Sequence, residues 1–313
     1  MFKSEFCEIK YLAQHNAVYC QWKAYCQYED YRKPLEFGLD LINKNSANIW
    51  ITDTTNGFES HKEDTKWLLE NFIPNTINSS CDTLIFIIKN NSPLKNEIDE
   101  QSKALSQYFD VREVANLNNL YLEETNIIDY SNKNIQDLAK KLSQNCNSDI
   151  EIAKNCFEYV RDKINHSGDY KDNITTCKAS DVLKYKTGWC YAKSHLLASL
   201  LRVNNIPTGF CYQRLSCSEY KKDIYCLHGL NAIYLKNYGW YKVDARGNKE
   251  GVNAQFNPPI ENLAFEIEEN EFNLPNIYHK PLNIIIETLE KYKSYKEMIN
   301  NFPDIEINKI NFN

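Results

Sequence analysis

The apolar positions of the first 125 residues switch between a period of two and a helical period, and each switch marks an element. CEIKYLAQHNAVYCQWKAY, residues 7–25, reads as two strands around a turn at His15–Asn16. In DYRKPLEFGLDLINKN, Leu35, Leu39 and Ile42 recur at helical spacing, and the run stops at Asn43–Asn45. NIWITDT predicts a short buried strand. HKEDTKWLLENFIPNTI predicts an amphipathic helix with Trp67, Leu68 and Phe72 inside. TLIFII is apolar without a break, as in a strand covered on both faces. A polar helix near 96–109 and the stretch VREVANLNNLYLEE follow. Strands separated by helices predict a small α/β sheet with helices packed on it.

The stretch NIIDYSNKN is polar enough for a linker, which places a boundary near residue 125. The expected organisation is an α/β module over 1–125, a second domain over 126–278 and a helical extension over 279–313. In the second part, IEIAKNCFEYVRDKI predicts a helix with Ile152, Cys156, Tyr159 and Val160 on one face. LNIIIETLEKYKSYKEMI predicts one C-terminal helix. The acidic run FEIEENEF lacks alternating ligands and a turn glycine, so it reads as a solvated loop rather than a calcium site.

Charge narrows the function classes. Residues 1–125 carry 12 basic and 19 acidic side chains, and residues 126–313 carry 24 and 23. No basic stripe is available to release counterions from a nucleic acid. The acidic front half instead favours a partner with a basic face. No apolar run approaches the ~18 residues of a membrane span, and MFKSEFCEIK has no apolar stretch of the secretory kind. The expected location is the cytoplasm, with no membrane partner. The 11 cysteines include no CxxC pair and read mainly as buried thiols in a reducing compartment. Cys211, Cys217 and Cys226 lack the spacing of a metal knuckle. No metal or cofactor is expected.

Residues 7–122 resemble STAS-like domains, through the order of elements and phrases such as YCQWKAYCQYEDYRKPLEFGLDLINKN, NIWITDTTNGF and TKWLLENFIPNTI. The resemblance implies a module that binds a protein or a small ligand. The Asp-Ser phosphorylation pair of that family is missing, because Thr54 follows Asp53.

The segment that carries chemistry is TGWCYAKSHLLASLLRVNNIP, residues 187–207. Leu196, Leu197, Leu200 and Leu201 recur at helical spacing, so Cys190 falls in the first turn of a buried helix. Unpaired N–H groups and the positive end of the helix dipole favour a thiolate there. Downstream, YCLHGLNAIYL and GWYKVDARGNK predict two strands. Antiparallel pairing about a turn midway, near residue 236, brings Asp244 beside His228. Cys190, His228 and Asp244 then make a nucleophile, a base and an orienting carboxylate. Taken singly, each also has an ordinary reading: a core cysteine, a strand histidine on backbone, an aspartate paired with Arg246. His195 lies about 140° around the helix from Cys190 and is not the base.

These three residues, with GWCYAKSHLLASLLRVNNIPTGFCYQRL, LHGLNAIYL and GWYKVDARGN around them, resemble the transglutaminase-like domain over residues 126–265. The resemblance implies an α+β papain-like core in which the Cys helix packs on an antiparallel sheet. It implies acyl transfer through a Cys190 thioester, with a peptide or protein amide as substrate, and more narrowly it is similar to bacterial transglutaminase-like proteins labelled as cysteine proteases. Hydrolysis is the expected outcome, with amine transfer or crosslinking as the alternative; a binding scaffold with a vestigial triad is the rival of another class. Gln213 and His166 are candidates for the second oxyanion donor beside the Cys190 N–H. Trp189, Tyr191 and Trp240 are candidates for lining the cleft.

Overall fold

The computed structural model describes residues 1–217 and 224–305. The chain divides into two compact units between Asn119 and Leu120. The first is built on a six-stranded sheet of β1 (Phe2–Lys3), β2 (Cys7–Leu12), β3 (Ala17–Trp22), β4 (Ile49–Asp53), β5 (Thr83–Ile87) and β6 (Asp110–Val114), in sequential order. The pairs β1–β2 and β2–β3 are antiparallel, and every later pair is parallel. Helix α1 (Glu29–Asn45), the helical stretch α2 (Lys62–Trp67) and α3 (Ile73–Ile77), and α4 (Lys95–Leu105) make the crossovers. One wide turn, Leu68–Phe72, joins α2 to α3, so the helix expected over 61–77 is present but interrupted.

Alternate strand residues Ile9, Val18, Cys20, Trp22, Trp50 and Leu84 meet Leu35, Ile42 and Phe72 from the helices in one core. Gly38 permits the closest approach: a Cβ there would lie 2.4 Å from the Trp50 ring. The Asp53–Thr54 pair is tied inward. Asp53 accepts from the Tyr19 hydroxyl at 2.5 Å, and the buried Thr54 hydroxyl donates to the Ile87 carbonyl at 2.8 Å.

The second unit begins with a helix that the sequence reading missed. Residues taken for linker lead into α5 (Lys133–Ser143), capped by Asn132 and burying Ile135 and Ala139. Then come α6 (Asp149–Lys163), β7 (Asn165–His166), α7 (Ser167–Tyr170), α8 (Ala179–Tyr185), β8 (Thr187–Gly188) and α9 (Cys190–Val203). Strands β9 (Thr208–Ser216), β10 (Tyr225–Leu235), β11 (Gly239–Val243), the β12–β13 hairpin (Gln255–Asn257, Ile260–Asn262) and β14 (Phe272–Asn273) follow. The main sheet is antiparallel throughout, in the order β11-β10-β9-β14.

Helix α9 is the axle of this unit. It packs between α5, α6 and α8 on one side and β10 on the other, so every residue from Cys190 to Arg202 is buried. Its two buried cations are satisfied by backbone. Lys193 donates to the carbonyls of Arg161 and Ile164. Arg202 reaches those of Glu123, Thr208 and His279 at 2.6–2.7 Å.

Two expectations are corrected here. The single C-terminal helix is two, α10 (Asn283–Lys291) and α11 (Tyr295–Met298), because Ser294 and Glu297 form a capping box that starts a new helix. The rest of the extension folds back on the sheet: Leu227 N–H donates to Pro303 O at 2.8 Å, and Arg214 clasps Asp304 with two 2.7 Å bonds. Its residues 306–313 lie outside the described residues. Second, the cysteines are mainly free and buried as expected, but Cys217 and Cys226, expected as thiols, form a disulfide where β9 and β10 run side by side. The nine others are free, and eight of them are buried. Among the described residues, no helix is long and apolar enough to cross a membrane, and no group of three or more His, Cys, Asp or Glu is placed to hold a metal.

Candidate active site

Cys190 opens α9, where Trp189 supplies the last extended residue and the first-turn N–H groups have no intrahelical acceptor. The neighbouring strand comes unusually close to it. A Cβ on Gly229 would stand 2.9 Å from the Tyr191 ring and 3.2 Å from its Cα, so only glycine lets β10 lie against the helix start. The Gly229 N–H then donates to Cys190 Sγ at 3.4 Å.

His228 precedes that glycine. Its Nε2 is 2.6 Å from Asp244 Oδ2, which leaves Nδ1 for the thiol. The register differs from the expected one. Asn231 pairs with Val243 and Leu235 with Gly239, so the turn centres on residue 237. Asp244 therefore lies diagonal to His228, just past the end of β11, and on the same face. Asp244 also accepts the N–H of Arg246 at 3.1 Å and of Ala264 at 3.3 Å.

The electrostatics follow from burial set against these partners. Burial opposes the Asp244 carboxylate, but the His228 charge and hydrogen bonds outweigh it and hold the carboxyl below its usual range. Burial also opposes the imidazolium of His228, yet Asp244 and the Cys190 sulfur together raise it to about 10. The Cys190 thiol moves the other way. Burial would raise it, and the charges and hydrogen bonds of His228 and His166 bring it down to about 6. A thiolate–imidazolium pair is the favoured state between these two values.

His166 reaches the sulfur by a separate route. The short parallel pair β7–β8 sets His166 opposite Gly188, two residues ahead of Cys190. Its ring meets the Trp189 indole edge-on at 5.5 Å, and its Nδ1 is 3.4 Å from Asp169 Oδ2. Asp169 is held in turn by a bidentate bond from Arg246, at 2.8 and 2.9 Å. Arg246 thus ties the carboxylate behind one imidazole to the carboxylate behind the other.

A cleft of about 710 Å³ opens over the sulfur, and Cys190, His228, His166, Trp189 and Tyr191 all line it. Two expected residues do not line it. Gln213 is buried directly opposite His228 in the β9–β10 register, and its Nε2 donates to Asn273 Oδ1 at 3.1 Å. Trp240 packs on Tyr121 and Tyr234, six residues along the strand pair from His228, about 20 Å away. His195 bonds the Cys177 carbonyl at 2.8 Å and takes no part. Sequence reasoning missed Gly229, Asp169, Phe265 and Phe302. A glycine inside a strand pattern was the one available sign, because it marks close backbone approach. Phe265 stands edge-on to the His228 ring at 5.0 Å, and Phe302 to Trp189 at 5.2 Å.

Residues 136–245 match the family model of the transglutaminase-like superfamily. No curated protein matches the chain. Among solved structures, one similar chain is a candidate cysteine protease from Cytophaga hutchinsonii, 17% identical over 40% of each chain, with a TM-score of 0.33. The periplasmic domain of TgpA from Pseudomonas aeruginosa is 17% identical over 40% of this chain and 46% of that one, at a TM-score of 0.30. Red sea bream transglutaminase is 12% identical over 40% and 27%, at 0.28. The match spans less than half the length of each of these structures. Residues 136–245 are a transglutaminase-like domain.

Proposed function

We propose that this protein is a cysteine acyl-transfer enzyme that hydrolyses a peptide or side-chain amide through a Cys190 thioester. The observation that carries the reading is the 2.6 Å bond between His228 and Asp244 behind a thiol at a helix start. In the first half-reaction the Cys190 thiolate attacks the amide carbon, and the tetrahedral oxyanion takes the Cys190 N–H and an imidazole N–H of His166. The C–N bond breaks as the His228 imidazolium gives its proton to the departing amine. In the second, His228 takes a proton from water, the resulting hydroxide adds to the thioester carbon, and the C–S bond breaks to release the acid and restore the thiolate. Asp244 fixes the imidazole tautomer and balances its charge throughout. Water, always present in bulk, is the proposed acceptor, and an amine acceptor would instead meet Glu266 and Glu268 on the cleft wall.

The proposal includes an N-terminal STAS-like binding module and a cytoplasmic setting. In that setting the Cys217–Cys226 bond would be reduced. Thiol alkylation in freshly lysed cells reads this, and a fully oxidised pair points to an oxidising compartment instead.

The test of the enzyme is the pH dependence of Cys190 alkylation in wild type, His228→Ala and Asp244→Asn, with the other free cysteines as internal controls. Reaction of Cys190 alone well below pH 8, lost in His228→Ala, is the expected result. Behaviour like a buried control such as Cys156 in all three proteins overturns the reading in favour of a non-catalytic binding protein.

A further inference from the structure

The N-terminal unit has a cavity that neither the transglutaminase-like domain nor its chemistry accounts for. It lies between the sheet and the helices α1, α2–α3 and α4, holds about 120 Å³, and is walled by Trp22, Tyr31, Trp50, Phe58 and Phe72. Close-packed interiors hold few voids larger than a water molecule. An apolar void of about 150 Å³ stays dry and takes up one benzene ring. The walls offer little to a hydrogen-bonding guest, because their polar groups are spent locally: Trp50 Nε1 donates to Thr52 at 3.0 Å, and the Ser60 hydroxyl to Tyr31 at 3.3 Å.

One polar group on the wall is different. Glu97, partly exposed on α4, lines the cavity, and its Oε1 accepts from Gln101 at 3.0 Å. No Lys or Arg pairs with it among the described residues, and the charges that act on it, Glu59 and Glu100, are also acidic. An aromatic wall suits the apolar body of a guest, and an uncompensated carboxylate on that wall suits a cationic head. We infer that this cavity binds a small primary amine carrying about one ring or a branched alkyl group, its apolar body among the aromatic side chains and its ammonium on Glu97. Burial and the like charges of Glu59 and Glu100 raise the Glu97 carboxyl, a strain that an incoming ammonium relieves. The site is independent of the proposed reaction.

The experiment is calorimetric titration of the full chain with benzylamine, against benzyl alcohol as its uncharged isostere. Benzylamine is expected to bind at least about tenfold more tightly than benzyl alcohol, and Glu97→Gln to remove that advantage. Glu97→Gln keeps the side-chain shape at a partly exposed position, and a thermal melt checks that it folds. No binding of benzylamine up to millimolar concentration, equal affinity for the two probes, or benzylamine binding unchanged in Glu97→Gln each overturns the inference.

Discussion

The backbone N–H of Gly229 points at the sulfur of Cys190, 3.4 Å away, and it can do so only because residue 229 has no side chain. Strand and helix start are thereby locked together at the reacting atom. Gly229→Ala should force the two apart by a few tenths of an ångström. The expected result is a Cys190 pKa raised by about one unit and a stability loss of about 1–3 kcal/mol. Alkylation against pH, with a thermal melt, reads both.

The paired titrations set a pH window. The thiol is lowered to about 6 and the imidazolium raised to about 10. Alkylation of Cys190 should therefore rise as pH passes about 6 and then stay high, since it needs only the thiolate. Amide turnover should rise over the same range and fall again as His228 loses its proton near 10, because the leaving amine needs that proton. A turnover profile without the alkaline fall removes His228 as the acid.

His166 is separable from His228 by the same two assays. Alkylation forms no oxyanion and amide attack does. His166→Ala should lower kcat by about 10²–10³ with little change in KM, and slow alkylation far less. His166→Gln, which keeps an N–H donor, should recover part of kcat. Equal losses in both assays would mean that the imidazole only tunes the thiol.

Trp240 provides the contrast. Trp240→Phe should leave kcat/KM unchanged while lowering stability by about 1–2 kcal/mol, since the ring packs on Tyr121 and Tyr234 far from the sulfur. A loss of turnover without a loss of stability would return Trp240 to the cleft.

What could be read from the sequence was what local pattern encodes. The α9 start at Cys190 was legible from leucine spacing, and the β10 and β11 strands from their composition. Their register was not, because it depends on where the turn closes, and a shift of one residue in its centre made His228 and Asp244 diagonal rather than opposite. Helix α5 was overlooked although Ile135, Leu138, Ala139 and Leu142 have helical spacing, because the asparagines before it read as linker. The place of His166 was beyond reach. A two-residue strand pair joining 165–166 to 187–188 has no periodicity to announce it.

The C-terminal fold-back has a consequence for how an acyl donor approaches. Along β10 beside the nucleophile, the Leu227 N–H is taken by Pro303, the Leu227 carbonyl by the Tyr191 hydroxyl, and the Gly229 N–H by Cys190 itself. Three of the rungs that a guest strand would climb are already occupied by the protein's own chain. Under the proposed reaction, a donor would depend for hydrogen bonds on side chains of the cleft wall and on the loop around Ala264, whose own N–H is held by Asp244. Shape at the tip of the donor, more than the run of its backbone, would then decide what is accepted.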